Sequence, residues 1–229
     1  MSIRNNLETL YNEISTINTQ VNQESLDIQM IAVSKTITIE KMIQAYEMGI
    51  KRFGENRVQE LMEKMESFPY QDVEWHMIGH LQRNKVKYIV GKVAMIHSLD
   101  NMRLAQEIEK QSEKHNLVTD VLIEVNVGDE PSKFGLKAHE VIDFAKSIQQ
   151  FKHLRLRGIM TVAPYAENPE EIRPLMRKMY HLFQELISSF PNLKMIDTLS
   201  MGMSNDYQIA IEEGANMLRI GSSIFGERQ

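Results

Sequence analysis

Met30-Ile31-Ala32-Val33-Ser34-Lys35-Thr36 is a short apolar run that ends abruptly in an amine. A run of this length, bounded by polar residues, predicts a buried strand. A lysine at its carboxyl end is oddly placed for solubility but well placed for chemistry, because α/β folds gather their sites at strand carboxyl ends. Partial desolvation weakens the preference for the charged form, and a neutral amine attacks a carbonyl to form a Schiff base. From this stretch alone, Lys35 snorkelling to solvent is the simpler reading.

Outward from this run, strand-like and helix-like stretches take turns. An amphipathic N-terminal segment carries Leu7, Leu10, Tyr11, Ile14, Ile17 and Val21 at helical spacing. Strands are predicted at Ile28–Ser34, Arg52–Glu55, Glu74–Ile78, Met95–Leu99, Asp120–Val127, Arg155–Thr161, Met195–Ser200 and Asn216–Ile220. Helical patterns lie between them: Ile39–Met48 capped by Thr38, Arg57–Glu66, Asn84–Val90, Met102–Lys114 opened by Asp100, Ala138–Ile148, Pro169–Ser188 and Asp206–Glu213. Pro174 sits five residues after Pro169, so that helix either kinks or begins late. About eight strands, each followed by a helix, is the count of a closed (β/α) barrel, here with an extra N-terminal helix. A doubly wound open sheet is the alternative, because periodicity does not show closure. No linker, repeat or low-complexity tract divides the chain, so residues 1–229 are expected to form a single domain.

Composition narrows the function. The chain has 229 residues, 42% hydrophobic and 25% charged, as for an ordinary globule with a sizeable core. A net charge of −5 argues against non-specific nucleic-acid binding. No segment approaches a membrane span and Met1–Gln20 has no signal-peptide core, so no membrane partner is expected and a cytoplasmic location is. Zero cysteines exclude disulfides, thiolate metal sites and cysteine nucleophiles. The 16 methionines sit mostly at strand or helix spacing and read as core.

The polar residues at the strand ends form one surface. The second strand ends in Phe53-Gly54-Glu55-Asn56-Arg57, where Asn56 is either a ligand contact or a helix cap. The third ends in Ile78-Gly79-His80-Leu81-Gln82-Arg83-Asn84-Lys85, and the loop after the fifth carries Lys133 in Ser132-Lys133-Phe134-Gly135. The seventh and eighth end in Leu199-Ser200-Met201-Gly202-Met203-Ser204 and Leu218-Arg219-Ile220-Gly221-Ser222-Ser223. Barrels frequently bind phosphate at those last two loops, and glycine backbone with serine donors suits an anion. Alone, Ser204 and Ser222 could be simple helix caps; at adjacent strand ends they favour a phosphate. A Schiff-base lysine facing such a cradle fits a phosphosugar or pyridoxal 5′-phosphate (PLP). Arg219 beside the cradle helps to choose, since a cation near the pyridine nitrogen would keep it unprotonated.

At this point a resemblance emerges. Ala32-Val33-Ser34-Lys35-Thr36, Phe53-Gly54-Glu55-Asn56-Arg57-Val58-Gln59-Glu60, Trp75-His76-Met77-Ile78-Gly79 with Leu81-Gln82-Arg83-Asn84-Lys85, Leu199 to Ser204, and Arg219-Ile220-Gly221 follow in order. Together they resemble the pyridoxal phosphate homeostasis proteins, the YggS/PROSC family, related to the barrel domain of alanine racemase. The resemblance implies a (β/α)8 TIM-type barrel of the alanine racemase N-terminal-domain type, with PLP held as an aldimine at Lys35. It implies that Asn56 contacts the ring, that Ser200, Gly202, Met203, Ser204, Gly221 and Ser222 hold the phosphate, and that Arg219 faces the pyridine nitrogen. Lys133 falls where relatives also carry a basic residue; its role and that of His80 are left open. His76 and His80, at i and i+4 on a strand end, do not converge on a metal, so no metal site is expected.

A racemase needs an acid–base group on each face of the cofactor. Alanine racemase takes the second from another domain, and here only Ser222–Gln229 follow the last predicted strand. The expectation is therefore a PLP carrier and homeostasis protein without catalytic residues, with a weak amino-acid racemase or other PLP-dependent enzyme as the alternative. Apo PLP-dependent enzymes are the expected partners, and a monomer the expected state.

Overall fold

The computed structural model describes residues 2–21 and 27–226, so the extreme ends of the expected 1–229 domain lie outside it. Eight strands pair in parallel in chain order: β1 (Gln29–Val33), β2 (Arg52–Glu55), β3 (Glu74–Met77), β4 (Met95–Leu99), β5 (Thr119–Glu124), β6 (Leu154–Met160), β7 (Thr198–Ser200) and β8 (Met217–Ile220). β8 returns to β1, with Gln29 opposite Met217 and Ala32 opposite Ile220, and the barrel closes. That settles the open-sheet alternative, which would leave two unpaired edges. The helices are α1 (Ile3–Gln20), α2 (Ile39–Glu47), α3 (Val58–Ser67), α4 (Val86–Ile89), α5 (Met102–Lys114), α6 (Val141–Ile148), α7 (Arg173–Ser189), α8 (Tyr207–Glu212) and α9 (Ser222–Phe225).

Period-two alternation splits the core in two. On β1, Met30 and Ala32 join the large cluster between strands and helices, while Ile31 joins Met95, Leu122, Met160 and Met217 in a separate small one. The second cluster draws on strands alone and fills the barrel, as inward-facing residues of a small barrel do. Helix α1 buries Ile3, Leu7, Leu10 and Ile17 against α2, α8 and α9, and Asn6 Nδ2 donates to the Ile224 carbonyl at 3.0 Å. Tyr11, read as part of that apolar face, is exposed.

Several element ends differ from expectation for local reasons. Asn101, not Asp100, caps α5, its side chain accepting from the Leu104 N–H at 2.9 Å. The helix after Asn168 begins late rather than kinking: Pro169–Ile172 form a 3-10 turn, and Pro174 falls in the first turn of α7, where no N–H is required. β5 stops at Glu124 because the chain doubles back, and Leu136 takes over pairing by donating to the Glu124 carbonyl at 2.8 Å and accepting from Asn126 N–H at 2.9 Å. β7 is confined to Thr198–Ser200, without Met195–Asp197.

Candidate functional site

β1 delivers Lys35 to the barrel mouth through a sharp bend. Ser34 is fully buried and its N–H donates to the Gly54 carbonyl at 3.0 Å. Thr36 then takes φ +64°, a left-handed conformation that a β-branched residue adopts at a cost of about 1–2 kcal/mol. A charged cluster lies behind the bend. Lys64 Nζ, from α3, donates to the Ser34 carbonyl at 2.5 Å, to Glu55 Oε1 at 2.7 Å and to Glu60 Oε1 at 2.6 Å. Ser34 Oγ donates to Glu55 Oε1 at 2.7 Å, and the Thr36 N–H to Glu60 Oε1 at 2.5 Å. Burial pushes the Glu55 carboxyl up, opposed by the hydrogen bonds from Lys64 and Ser34.

Arg219 leaves β8 into the same mouth and is held by neutral partners. Its Nη1 donates to Ser200 Oγ and its Nη2 to the Thr161 carbonyl, both at 2.6 Å. Ser200 Oγ lies 3.4 Å from His97 Nδ1, and His97 Nε2 lies 3.0 Å from His76 Nδ1. Because Arg219 only donates, Ser200 passes its own proton toward His97 Nδ1; His97 then carries hydrogen on Nε2 and donates to His76 Nδ1. The chain ends at His76 Nε2, which is buried without a partner. Burial drives both imidazoles toward the neutral form, His76 down to about 3. Burial also pushes Arg219 down to about 10, opposed by Asp206 and Glu124. Glu124, at the end of β5, is pushed up to about 7, first by burial and then by Asp100, and its Oε2 has no hydrogen-bond partner.

The loops after β7 and β8 interlock. Gly202 has φ +97°, and a Cβ there would come within 2.7 Å of Ala210 Cβ on α8, so only glycine fits. Its carbonyl accepts the Arg219 N–H at 2.9 Å. Ser204 Oγ accepts the N–H groups of Gly221 and Ser223, each at 3.2 Å, and so caps the turn that opens α9.

A cavity of about 610 Å³ opens between these loops, with Lys35 and Arg219 on its wall. Of the residues expected at the site, Lys35, Met203, Ser204, Arg219, Gly221 and Ser222 line it, as does Lys133. Gly202, Ser200 and Asn56 are not among its lining residues. Ser200 is fully buried with its hydroxyl committed to Arg219 and His97, so it serves the arginine and not the cavity surface. Asn56 Oδ1 is buried without a partner, and Gly79 lies so close behind it that a Cβ would approach the Asn56 carbonyl within 2.4 Å. Lys133 Nζ contacts Glu130 at 2.7 Å and the Val162 carbonyl at 3.4 Å. His80 is on the rim, stacked on Phe134 and 3.6 Å from Asp100, while His76 turns inward to His97.

The sequence reading missed Glu60 and Lys64, the inward pair His76 and His97, Glu124, and the apolar wall that includes Val162, Ala163 and Ile172. One signal was available: Lys64 continues the stripe of Val58 and Leu61 at spacing three, an odd place for a cation on an apolar helix face.

A lysine and an arginine face one cavity at the β7 and β8 ends of a (β/α)8 barrel, where such barrels gather their sites, and the fold is of the alanine racemase barrel class. The family model for the alanine racemase N-terminal domain matches residues 6–229. The pyridoxal phosphate homeostasis protein of Aquifex aeolicus is 47% identical over 201 residues, covering 88% of this chain and 87% of that protein. That of Haemophilus influenzae is 39% identical over 230 residues, covering 100% and 97%. The chain belongs to the pyridoxal phosphate homeostasis protein (YggS/PROSC) family, within the alanine racemase N-terminal-domain class. PipY of Synechococcus elongatus, solved with PLP bound, superposes with a TM-score of 0.85 at 30% identity, covering 98% of this chain and 100% of that one. An alanine racemase of Clostridium difficile shares the fold, with a TM-score of 0.76 at 15% identity over 99% of this chain and 60% of its own.

Proposed function

We propose that this protein binds PLP covalently through Lys35 and serves intracellular PLP homeostasis, without running a catalytic cycle of its own. The observation that carries the reading is Lys35 and Arg219 facing one cavity beside the interlocked β7 and β8 loops, in a chain whose relatives are named for PLP homeostasis. The residues present fit the group. PLP supplies an aldehyde, to which an amine adds with loss of water as a C=N bond forms. Lys35 Nζ is the amine. Ser222 and Ser204 would hold the phosphate through their hydroxyls, Ser204 Oγ donating its proton to the anion while it accepts the N–H groups of Gly221 and Ser223. Asn56, with its buried unpartnered oxygen, would take a polar edge of the ring. Arg219, fixed by Ser200 and Thr161, would hold positive charge at the ring nitrogen and keep that nitrogen unprotonated. Val162, Ala163 and Ile172 make one side of the cavity apolar.

The proposal extends to a cytoplasmic monomer that passes PLP to apo-enzymes; zero cysteines fit a reducing compartment. Among the described residues no helix is long and apolar enough to cross a membrane.

The test is a visible spectrum before and after borohydride, followed by peptide mapping. Purified protein should be yellow and borohydride should fix the cofactor on Lys35, a label lost in Lys35→Ala. Colourless protein after PLP addition, or fixation elsewhere, would overturn the binding role. Racemisation of an L-amino acid at enzyme-like rates, lost in Lys35→Ala, would instead favour a PLP-dependent enzyme.

A further inference from the structure

We propose that Lys64 is the positioning residue of Lys35, an unreactive second lysine that clamps the backbone on both sides of the reactive one. The proposal rests on the reading of Lys35 as the attachment point. An ammonium has three donors and no acceptor, and those of Lys64 meet the Ser34 carbonyl, Glu55 and Glu60 at 2.5, 2.7 and 2.6 Å. The first of these contacts holds the residue before Lys35. Glu60 Oε1 accepts both from Lys64 and from the N–H of Thr36, at 2.5 Å, and so holds the residue after it. Glu55 Oε1 closes the ring by accepting from Ser34 Oγ at 2.7 Å.

The clamped bend is one the chain would not adopt unaided. Thr36 is a β-branched residue at φ +64°, and such a conformation persists only where the surroundings over-determine it. A contact that only docked α3 on the barrel would be better made by another leucine beside Leu61, since burying an ammonium and the Glu55 carboxylate carries a heavy desolvation penalty. What the charged group provides, and a leucine does not, is directed bonding to the two backbone groups that set where the Lys35 side chain leaves the strand. The same arrangement separates the two amines: Lys35 lines the cavity, whereas Lys64 is buried behind it with every donor engaged.

The experiment compares the full-length wild-type chain with Lys64→Met, Glu60→Ala, Thr36→Gly and the Lys64→Met/Thr36→Gly double variant. PLP affinity is read by visible absorbance, fixation on Lys35 by borohydride and mapping, and folding by thermal midpoint. Lys64→Met should weaken PLP binding about tenfold or more and lower the fraction fixed on Lys35. Thr36→Gly should restore part of that loss in the Lys64→Met background, because glycine takes the left-handed bend without strain. A general loss of stability would give no such rescue. Wild-type affinity in folded Lys64→Met, or a double variant no better than the single, would overturn the proposal. If Lys64→Met does not fold, Glu60→Ala removes the acceptor of the Thr36 N–H and leaves Lys64 bonded to Ser34 and Glu55, and unchanged PLP binding there would overturn it. If wild-type protein fixes no PLP on Lys35, the attachment reading fails by itself. The clamp is then judged by hydrogen exchange at the Thr36 amide, which Glu60→Ala should speed about tenfold or more, and unchanged exchange would refute it.

Discussion

The two sides of the barrel mouth hold their functional cations by opposite means. Behind β1 and β2, Lys35 is placed by an ionic cluster in which one ammonium bridges two carboxylates and a backbone carbonyl. Around β8, Arg219 is placed by neutral groups, a serine, a carbonyl and two histidines in series. The ionic cluster acts on the backbone before and after Lys35, at the Ser34 carbonyl and the Thr36 N–H. A guanidinium that is to remain a fixed charge is gripped at its tip, by groups that do not neutralise it. Removing Lys64 strands a buried carboxylate outright, whereas removing Ser200 takes one of two neutral acceptors from a buried guanidinium that keeps the other.

The largest expected effect is therefore on the ionic side. Lys64→Ala leaves the fully buried Glu55 without its cation and should cost about 3–5 kcal/mol in urea unfolding at neutral pH. A loss no larger than that of an exposed ion pair would erase the distinction between the two sides.

Next in size is pH dependence on the Arg219 side. Glu124 is pushed from 4.5 up to about 7, so between those values the folded chain keeps a proton that the unfolded chain has released. Its contribution to stability is present at acid pH and lost as pH rises through that window, on the order of 3 kcal/mol in full. Glu124→Gln should accordingly gain stability over wild type at pH 8 and little at pH 4. His76 acts in the opposite sense: it is pushed from 6.5 down to about 3, so stability is lost as pH falls through that range. His76→Phe should remove part of the acid loss while Glu124→Gln leaves it in place. Unfolding curves at a series of pH values check both, and parallel profiles for the two variants would contradict the assignment.

The smallest effect should come from Ser200→Ala. It takes one acceptor from Arg219 and one partner from His97, for about 1–2 kcal/mol, and should loosen PLP retention less than Arg219→Ala does. Equal losses in the two variants would mean that the serine, and not the guanidinium, carries the interaction.

Much of this was legible before any coordinates. The apolar run ending in Lys35 and the glycine-serine loops after the last two strands lie where they were read, and the wall of one cavity includes Lys35, Ser204, Arg219, Gly221 and Ser222. Ser200 was legible as a strand-end residue but not in its direction. One residue of pleat decides whether a hydroxyl meets a ligand or turns to an arginine inside the barrel. Asp100 and Asn101 show the same limit, since either could cap α5 and only backbone geometry selects Asn101. The cut-back ends of β5 and β7 depend on which neighbouring strand still offers a partner.

The sequence by itself determined the alternation of strands and helices, the amine at the end of the first strand and the blocks that mark the family, because each is a local pattern of a few consecutive residues. Tertiary structure alone decided that the sheet closes, and with closure came the meetings of distant side chains. Lys64 reaches Ser34 across 30 residues, and His97 joins His76, 21 residues before it, to Ser200, 103 residues after it. Periodicity assigns a side chain to a face of its own element, whereas its partner on that face is set by the register and curvature of the whole barrel.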